Sequence, residues 1–151
     1  MLTSKGCASR RGRLWEAVSS VCDAVVVTSP ESLIHLGNFA PSPFDFNPNE
    51  GASALLLTPD RAILFADNLL GRYVQADCVD EVVTLDWYTG RKSAPARREL
   101  LSQAVRDRLA DGSARRLGVE PLGVSLIENH PPISLAEPLR DLRRSKDPDE
   151  L

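Results

Sequence analysis

Apolar residues first recur at helical spacing in residues 9–21. Leu14, Ala17, Val18 and Val21 share one face there, with Trp15 beside it. The run Asp23-Ala-Val-Val-Val-Thr28 follows without alternation, the pattern of a strand covered on both faces. Ser29-Pro30-Glu31 carries three helix-start signals: a capping hydroxyl, a preorganised proline and an acid in the first turn. Gly37-Asn38 ends that helix after about two turns. Residues 54–57 and 62–65 are apolar runs flanking Thr58-Pro59-Asp60-Arg61, whose proline and aspartate suit a type I turn, so the two runs form a hairpin. Asp67 is placed to cap a helix through residue 76, and residues 81–87 read as a strand. Leu100, Leu101, Ala104, Val105 and Leu109 form the stripe of an amphipathic helix ended by Asp111-Gly112. Residues 116–119 make a short strand and residues 121–132 an irregular or short helical stretch. Residues 135–144 make a last helix, with Leu135, Leu139 and Leu142 in register. Alternating strands and helices interrupted by one hairpin predict an α/β fold: a mixed, mostly parallel sheet with one antiparallel hairpin and helices on its faces.

One segment breaks the periodicity. Residues 39–51 hold Pro41, Pro43 and Pro48 among Phe39, Phe44 and Phe46, which are three of the four phenylalanines in the chain. Prolines keep the segment out of a helix or central strand. Its aromatic rings must then pack on the body of the domain, on a partner or on a ligand.

Composition adds limits. At 151 residues and 42% apolar content, the chain is long and apolar enough to bury a core as one domain. No apolar run reaches the roughly 18 residues of a membrane helix, and no secretory leader pattern is visible. Net charge is −3. Residues 1–90 carry 6 basic and 11 acidic side chains, and residues 91–151 carry 12 and 10, with arginine pairs at 97–98, 115–116 and 143–144. Acids interleave with these arginines and aromatics are 5%, which suits solvated helix faces and disfavours a nucleic-acid reader. Cys7, Cys22 and Cys78 make no C-x-x-C pair and read as reduced thiols. His35 and His130 have no ligand cluster around them. Gly123-Val-Ser125 lacks the second glycine of a nucleophile elbow, and Gly118 to Gly123 has the wrong spacing for a dinucleotide turn. No catalytic residue and no metal ligand is therefore assigned in this chain.

The last five residues, Asp147-Pro148-Asp149-Glu150-Leu151, have the composition of a helix start: a capping aspartate, a proline at the first helical position and a glutamate at the capping-box position. The expectation is a domain over residues 1–146, with residues 147–151 opening a linker helix to a further domain.

With that order of elements, the chain resembles the N-terminal domain of the creatinase, prolidase and aminopeptidase P superfamily of metallohydrolases. The resemblance rests on Arg10-Arg-Gly-Arg-Leu14, on the segment from Asp23 to Phe39, and on the hairpin from Leu55 to Asp67. It rests also on Leu117-Gly-Val-Glu120 and on the closing run from Leu142 to Leu151. It implies a ribonuclease H-like sheet and no cofactor in this chain. It also implies a C-terminal catalytic domain of the same protein holding two divalent metal ions (such as Mn, Co or Zn). The expected parent is a cytoplasmic Xaa-Pro peptidase acting on proline-containing peptides, with a homodimer in which this domain helps close the substrate pocket. By that resemblance His35, Phe39, Phe44, Asp45 and Phe46 are the candidate pocket or interface contacts; neither a nucleic acid nor a membrane is an expected partner. The alternative is a stand-alone α/β module that binds a ligand or protein through its aromatic loop.

Overall fold

A computed structural model describes residues 2–42, 53–91, 96–110, 114–120, 133–134 and 139. The described elements are α1 (Ser4–Val18), β1 (Ala24–Val27), α2 (Pro30–Gly37), β2 (Ser53–Leu57), β3 (Ala62–Asp67), a 3-10 turn (Gly71–Tyr73), β4 (Glu81–Leu85), α3 (Arg97–Leu109), β5 (Leu117–Val119) and β6 (Ile133–Ser134). The strands form one six-stranded sheet in the order β4-β3-β2-β1-β5-β6. β2 is antiparallel to both β1 and β3, whereas the β3–β4, β1–β5 and β5–β6 pairs are parallel. The fold is thus the expected mixed α/β sheet, with β2 alone running against the other five.

The central strands are buried at every position, and their alternation sorts the core into two layers. Val25, Val27, Leu55, Leu57, Ala62 and Leu64 point to one side, where Leu14 and Val18 of α1 and Leu33 and Leu36 of α2 cover them. Ala24, Val26, Ala54, Leu56, Ile63 and Phe65 point to the other, under Leu101, Val105 and Leu109 of α3. Pairing of Val26 with Leu56, and of Leu56 with Ile63, keeps the two sets in register across three strands. The hairpin turn closes as the sequence predicts. Thr58 and Arg61 exchange backbone hydrogen bonds at 2.9 and 3.4 Å, and Thr58 Oγ1 also accepts from the Arg61 amide.

Several boundaries differ from those read in the pattern. α1 begins at Ser4, five residues before the expected start, because Thr3 caps it by accepting from the Gly6 amide at 3.0 Å. It ends at Val18, so Val21 lies beyond the helix and is 44% exposed. The buried face of α1 runs through Cys7, Arg10, Leu14 and Val18, while Ala17 faces solvent. α2 ends on Asn38, which adopts the left-handed conformation at φ 50° that a short polar side chain tolerates. The helix expected over 67–76 does not form. Asp67 is the last residue of β3 and pairs with Leu85, so only the 3-10 turn follows it. Strand β4 stops at Leu85, short of the expected Trp87. The helix expected over 135–144 and the closing residues 147–151 lie outside the described residues, save Leu139, which packs in the α1/α2 layer.

At the entry to the sheet, Asp23 clips β1 to β5. Its carboxylate accepts from the Arg116 amide at 3.0 Å and from the Arg116 guanidinium at 2.6 and 3.2 Å. These hydrogen bonds hold the Asp23 carboxyl below its ordinary pKa of 3.8. A carboxyl depressed in the folded state stabilises at pH above its unfolded value, and that contribution fades as pH falls through the folded one. The Tm of Asp23→Asn should therefore lie below that of the parent at about pH 6, and the gap should narrow as the pH falls below about 4. A gap that widens with acid would contradict this role.

Candidate functional site

Five of the six strands run in one direction, so their C-terminal ends lie together, the edge at which open α/β sheets place ligands. Two buried acidic groups stand there. Glu120 directly follows β5 and is 3% exposed. Its Oε2 accepts from the backbone amides of Thr28 and Ser29, both at 2.7 Å. Its Oε1 accepts from the Ser29 hydroxyl at 2.9 Å and from the Ser32 hydroxyl. Ser29 in turn caps α2 by accepting from the Ser32 amide at 3.2 Å. The carboxylate thus sits at the N-terminus of α2, where a negative charge complements the helix dipole. With four donors on its two oxygens it holds the β1–α2 corner, a positioning role with no lone pair turned to solvent chemistry.

Asp67 ends β3 and is 1% exposed. Its Oδ1 accepts from the Leu69 amide at 2.9 Å, and its Oδ2 pairs with the guanidinium of Arg97, the first residue of α3. The Arg97 guanidinium carbon lies 4.0 Å over the Trp87 ring centroid, so one face of this buried cation is covered by an aromatic. α3 has no side-chain cap at Ala96, and the Asp67–Arg97 pair ties its first turn to the sheet. Beyond it Asn68 and Tyr88 exchange side-chain-to-backbone hydrogen bonds at 2.6 and 3.2 Å. The Tyr88 side chain is 55% exposed and that of Leu69 is 43% exposed.

Of the candidate contacts, His35 lies near the C-terminus of α2, half-buried, with its carbonyl accepting from Arg10 Nε at 2.6 Å. Arg11 donates to the next carbonyl, that of Leu36, at 2.8 Å. Phe39 is fully enclosed in the α1/α2 layer, so its ring anchors the loop that starts there and is not presented to solvent. Phe44, Asp45 and Phe46 lie outside the described residues. The sequence pattern points to none of Arg10, Asp67, Arg97 and Glu120 as buried, although each is. The only local hint was Glu120 at the end of an apolar strand.

At the opposite end of the sheet, a cleft of about 340 Å³ lies between the hairpin turn and the end of α3, lined by Asp23, Asp60, Arg61 and Arg108 among others. Arg61 and Arg108 both pair with Glu81. Among the described residues no group of three or more His, Cys, Asp or Glu side chains is placed to hold a metal ion. No described helix is long and apolar enough to cross a membrane.

Residues 15–129 match the family model of the creatinase/prolidase N-terminal domain. Comparison with curated protein sequences finds no match. Among solved structures, an Xaa-Pro dipeptidase from Bacillus anthracis superposes with a TM-score of 0.67 at 18% identity, over 95% of this chain and 38% of that one. The N-terminal domain of the cytoplasmic peptidase PepQ from Mycobacterium tuberculosis gives 0.55 at 20% identity, over 89% of this chain and 98% of that one. An Xaa-Pro aminopeptidase from Streptococcus thermophilus gives 0.58 at 13% identity, over 91% and 98%. The chain thus spans about two fifths of the length of the dipeptidase from Bacillus anthracis.

Two stability tests follow from the buried charges. Glu120→Ala strands two amides and two hydroxyls and should cost about 3 kcal/mol, with Glu120→Gln intermediate, read as a lower urea midpoint at unchanged slope. Arg97→Met alone should cost about 3–5 kcal/mol, and adding Asp67→Asn should recover part of that loss. Additive losses would mean that the two groups act independently.

Proposed function

The chain belongs to the creatinase/prolidase N-terminal domain family, and on that premise we propose that it is the non-catalytic N-terminal domain of a metal-dependent Xaa-Pro peptidase. Its work is to shape and close the substrate pocket of a C-terminal catalytic domain and to contribute to a dimer. The observation that carries this reading is the family match over residues 15–129. Two further facts support it. Solved structures of Xaa-Pro peptidases share the fold across nearly the whole chain. The buried carboxylates of Asp67 and Glu120 are engaged in tying helices to the sheet.

In this reading the chemistry belongs to two divalent metal ions held by the catalytic domain, which activate water and polarise the scissile carbonyl. The present domain supplies a wall. The wall comprises His35 at the end of α2 and the loop of residues 39–47, with Phe39 as the buried anchor and Phe44, Asp45 and Phe46 as the contacts. A rigid anchor suits this task, because a pocket wall raises specificity only if it holds its place when substrate arrives.

The test has two parts. The 151-residue chain, supplied with Mn, Co or Zn ions, should release no proline from Xaa-Pro dipeptides. The reading frame beyond Leu151 should encode a metal-binding domain, and turnover by the chain alone or a stop at that point would refute the proposal. In the longer protein His35→Ala should raise KM for a proline peptide roughly 3–10-fold with little change in kcat, the signature of lost binding rather than lost chemistry.

A further inference from the structure

The N-terminal turn of α1, the C-terminal end of α2 and the segment leading to β4 meet at one buried junction. Two cysteines are neighbours there. Cys7 in α1 is 0% exposed and Cys78 is 2% exposed. Burial and then the adjoining Cys7 thiol push the Cys78 pKa up to about 11. The backbone on either side is clipped in place. Arg11 donates to the Cys78 carbonyl at 2.7 Å, and the Ser4 hydroxyl donates to the Asp77 carbonyl. Ser4, Cys7 and Arg11 follow one another at spacings of three and four, so one face of α1 lies along residues 77–78. The two sulfurs have different surroundings. A guanidinium nitrogen of Arg10 donates to Cys7 Sγ at 3.5 Å. Cys78 Sγ instead accepts from the neutral amide of Asn38 at 3.7 Å. Cys22, the third cysteine, sits beyond the far end of α1, at least about 16 Å away along the helix axis, and burial raises its pKa.

We propose that Cys7 and Cys78 are a modification site, a dithiol that a low-molecular-weight disulfide such as oxidised glutathione converts to an intramolecular disulfide. The Cys7 proton passes to solvent and its thiolate attacks one sulfur of oxidised glutathione. That S–S bond breaks, and one glutathione leaves as a thiolate that takes up a proton. Cys78 then loses its proton to solvent and attacks the Cys7 sulfur, expelling the second glutathione, which is protonated in turn. Two protein thiols are oxidised, and one glutathione disulfide is reduced to two thiols. Opening of the first turn of α1 frees Cys7 for the first attack, and Cys78, its neighbour at the junction, is placed for the resolving step. Access comes by opening of the first turn of α1, whose outer face, Lys5 and Ala8, is exposed. Outside the junction that turn carries the Thr3 cap and the pairing of Leu2 with the Asn38 side chain at 2.9 and 3.3 Å. The product would fasten α1 to the β3–β4 half of the sheet and enclose β1, α2, β2 and β3 in one covalent loop.

The native chain is incubated with oxidised glutathione, free thiols are alkylated before unfolding, and the product is mapped by mass spectrometry. A Cys7–Cys78 linked peptide should appear with Cys22 still a thiol. Tm should rise by roughly 5–10 °C and return to its starting value on reduction. Cys22→Ala should behave like the parent, and Cys78→Ser should stop at a stable glutathione adduct on Cys7. Unlinked thiols at Cys7 and Cys78 in a chain that keeps its native Tm, a link through Cys22, or a fall in Tm on linking would each overturn the proposal.

Discussion

An eight-residue helix is too short to hold itself together in water, and α2 is such a helix. It persists because charges from elsewhere in the chain satisfy both of its ends. The Glu120 carboxylate, from the end of β5, binds the Thr28 and Ser29 amides just ahead of its start and the hydroxyl of Ser29, which caps it. Arg10 and Arg11, from α1, donate to the carbonyls of His35 and Leu36 at its finish. Each charge has the sign that the helix dipole favours at that end. The layer on one side of the sheet depends on this arrangement, since α2 brings Leu33 and Leu36 onto Leu55 and the neighbouring apolar side chains. The position of Phe39 depends on it too.

The same logic recurs on the opposite side. α3 has no capping side chain of its own, and a buried aspartate–arginine pair under Trp87 joins its first turn to the end of β3. The two helical layers are therefore tied to the sheet at its C-terminal edge by ionised groups that burial would penalise if they were unpaired. The edge where an α/β sheet would ordinarily receive a ligand is here occupied in large part by its own supports.

Strands β1, β2, β3 and β5 and helix α2 could be read from the pattern because strands buried on both faces are largely apolar, and because Ser29-Pro30 and Asn38 act locally; the two-residue β6 could not. Buried charge could not. Arg10, Asp67, Arg97 and Glu120 count as surface residues in any reading of periodicity, and only their partners, distant in sequence, bring them inside. The early start of α1 escaped for a related reason. Residues 4–8 have no apolar stripe, and their helix is held by the Thr3 cap and by the contacts of Cys7 and Arg10. At Asp67 the local signal misled: the aspartate does accept from an amide two residues on, yet pairing with Leu85 keeps it in the strand. In the candidate site, His35 falls at the end of α2 as the pattern suggested, whereas the burial of Phe39 required the tertiary core.

The sheet order also constrains the timing of assembly. β1 is made early, and its register joins Ala24 to Leu117 and Val26 to Val119. During synthesis the hairpin of β2 and β3 can close on its own once residue 67 has left the ribosome, and β1 can lie against β2. The middle of the sheet nonetheless keeps an open parallel edge until β5 is made, and the amides that open α2 wait for Glu120. The nascent chain therefore exposes an apolar strand edge through the translation of some ninety residues, a window of roughly 5–20 seconds at ordinary elongation rates, in which chaperone capture and mispairing between chains compete with folding.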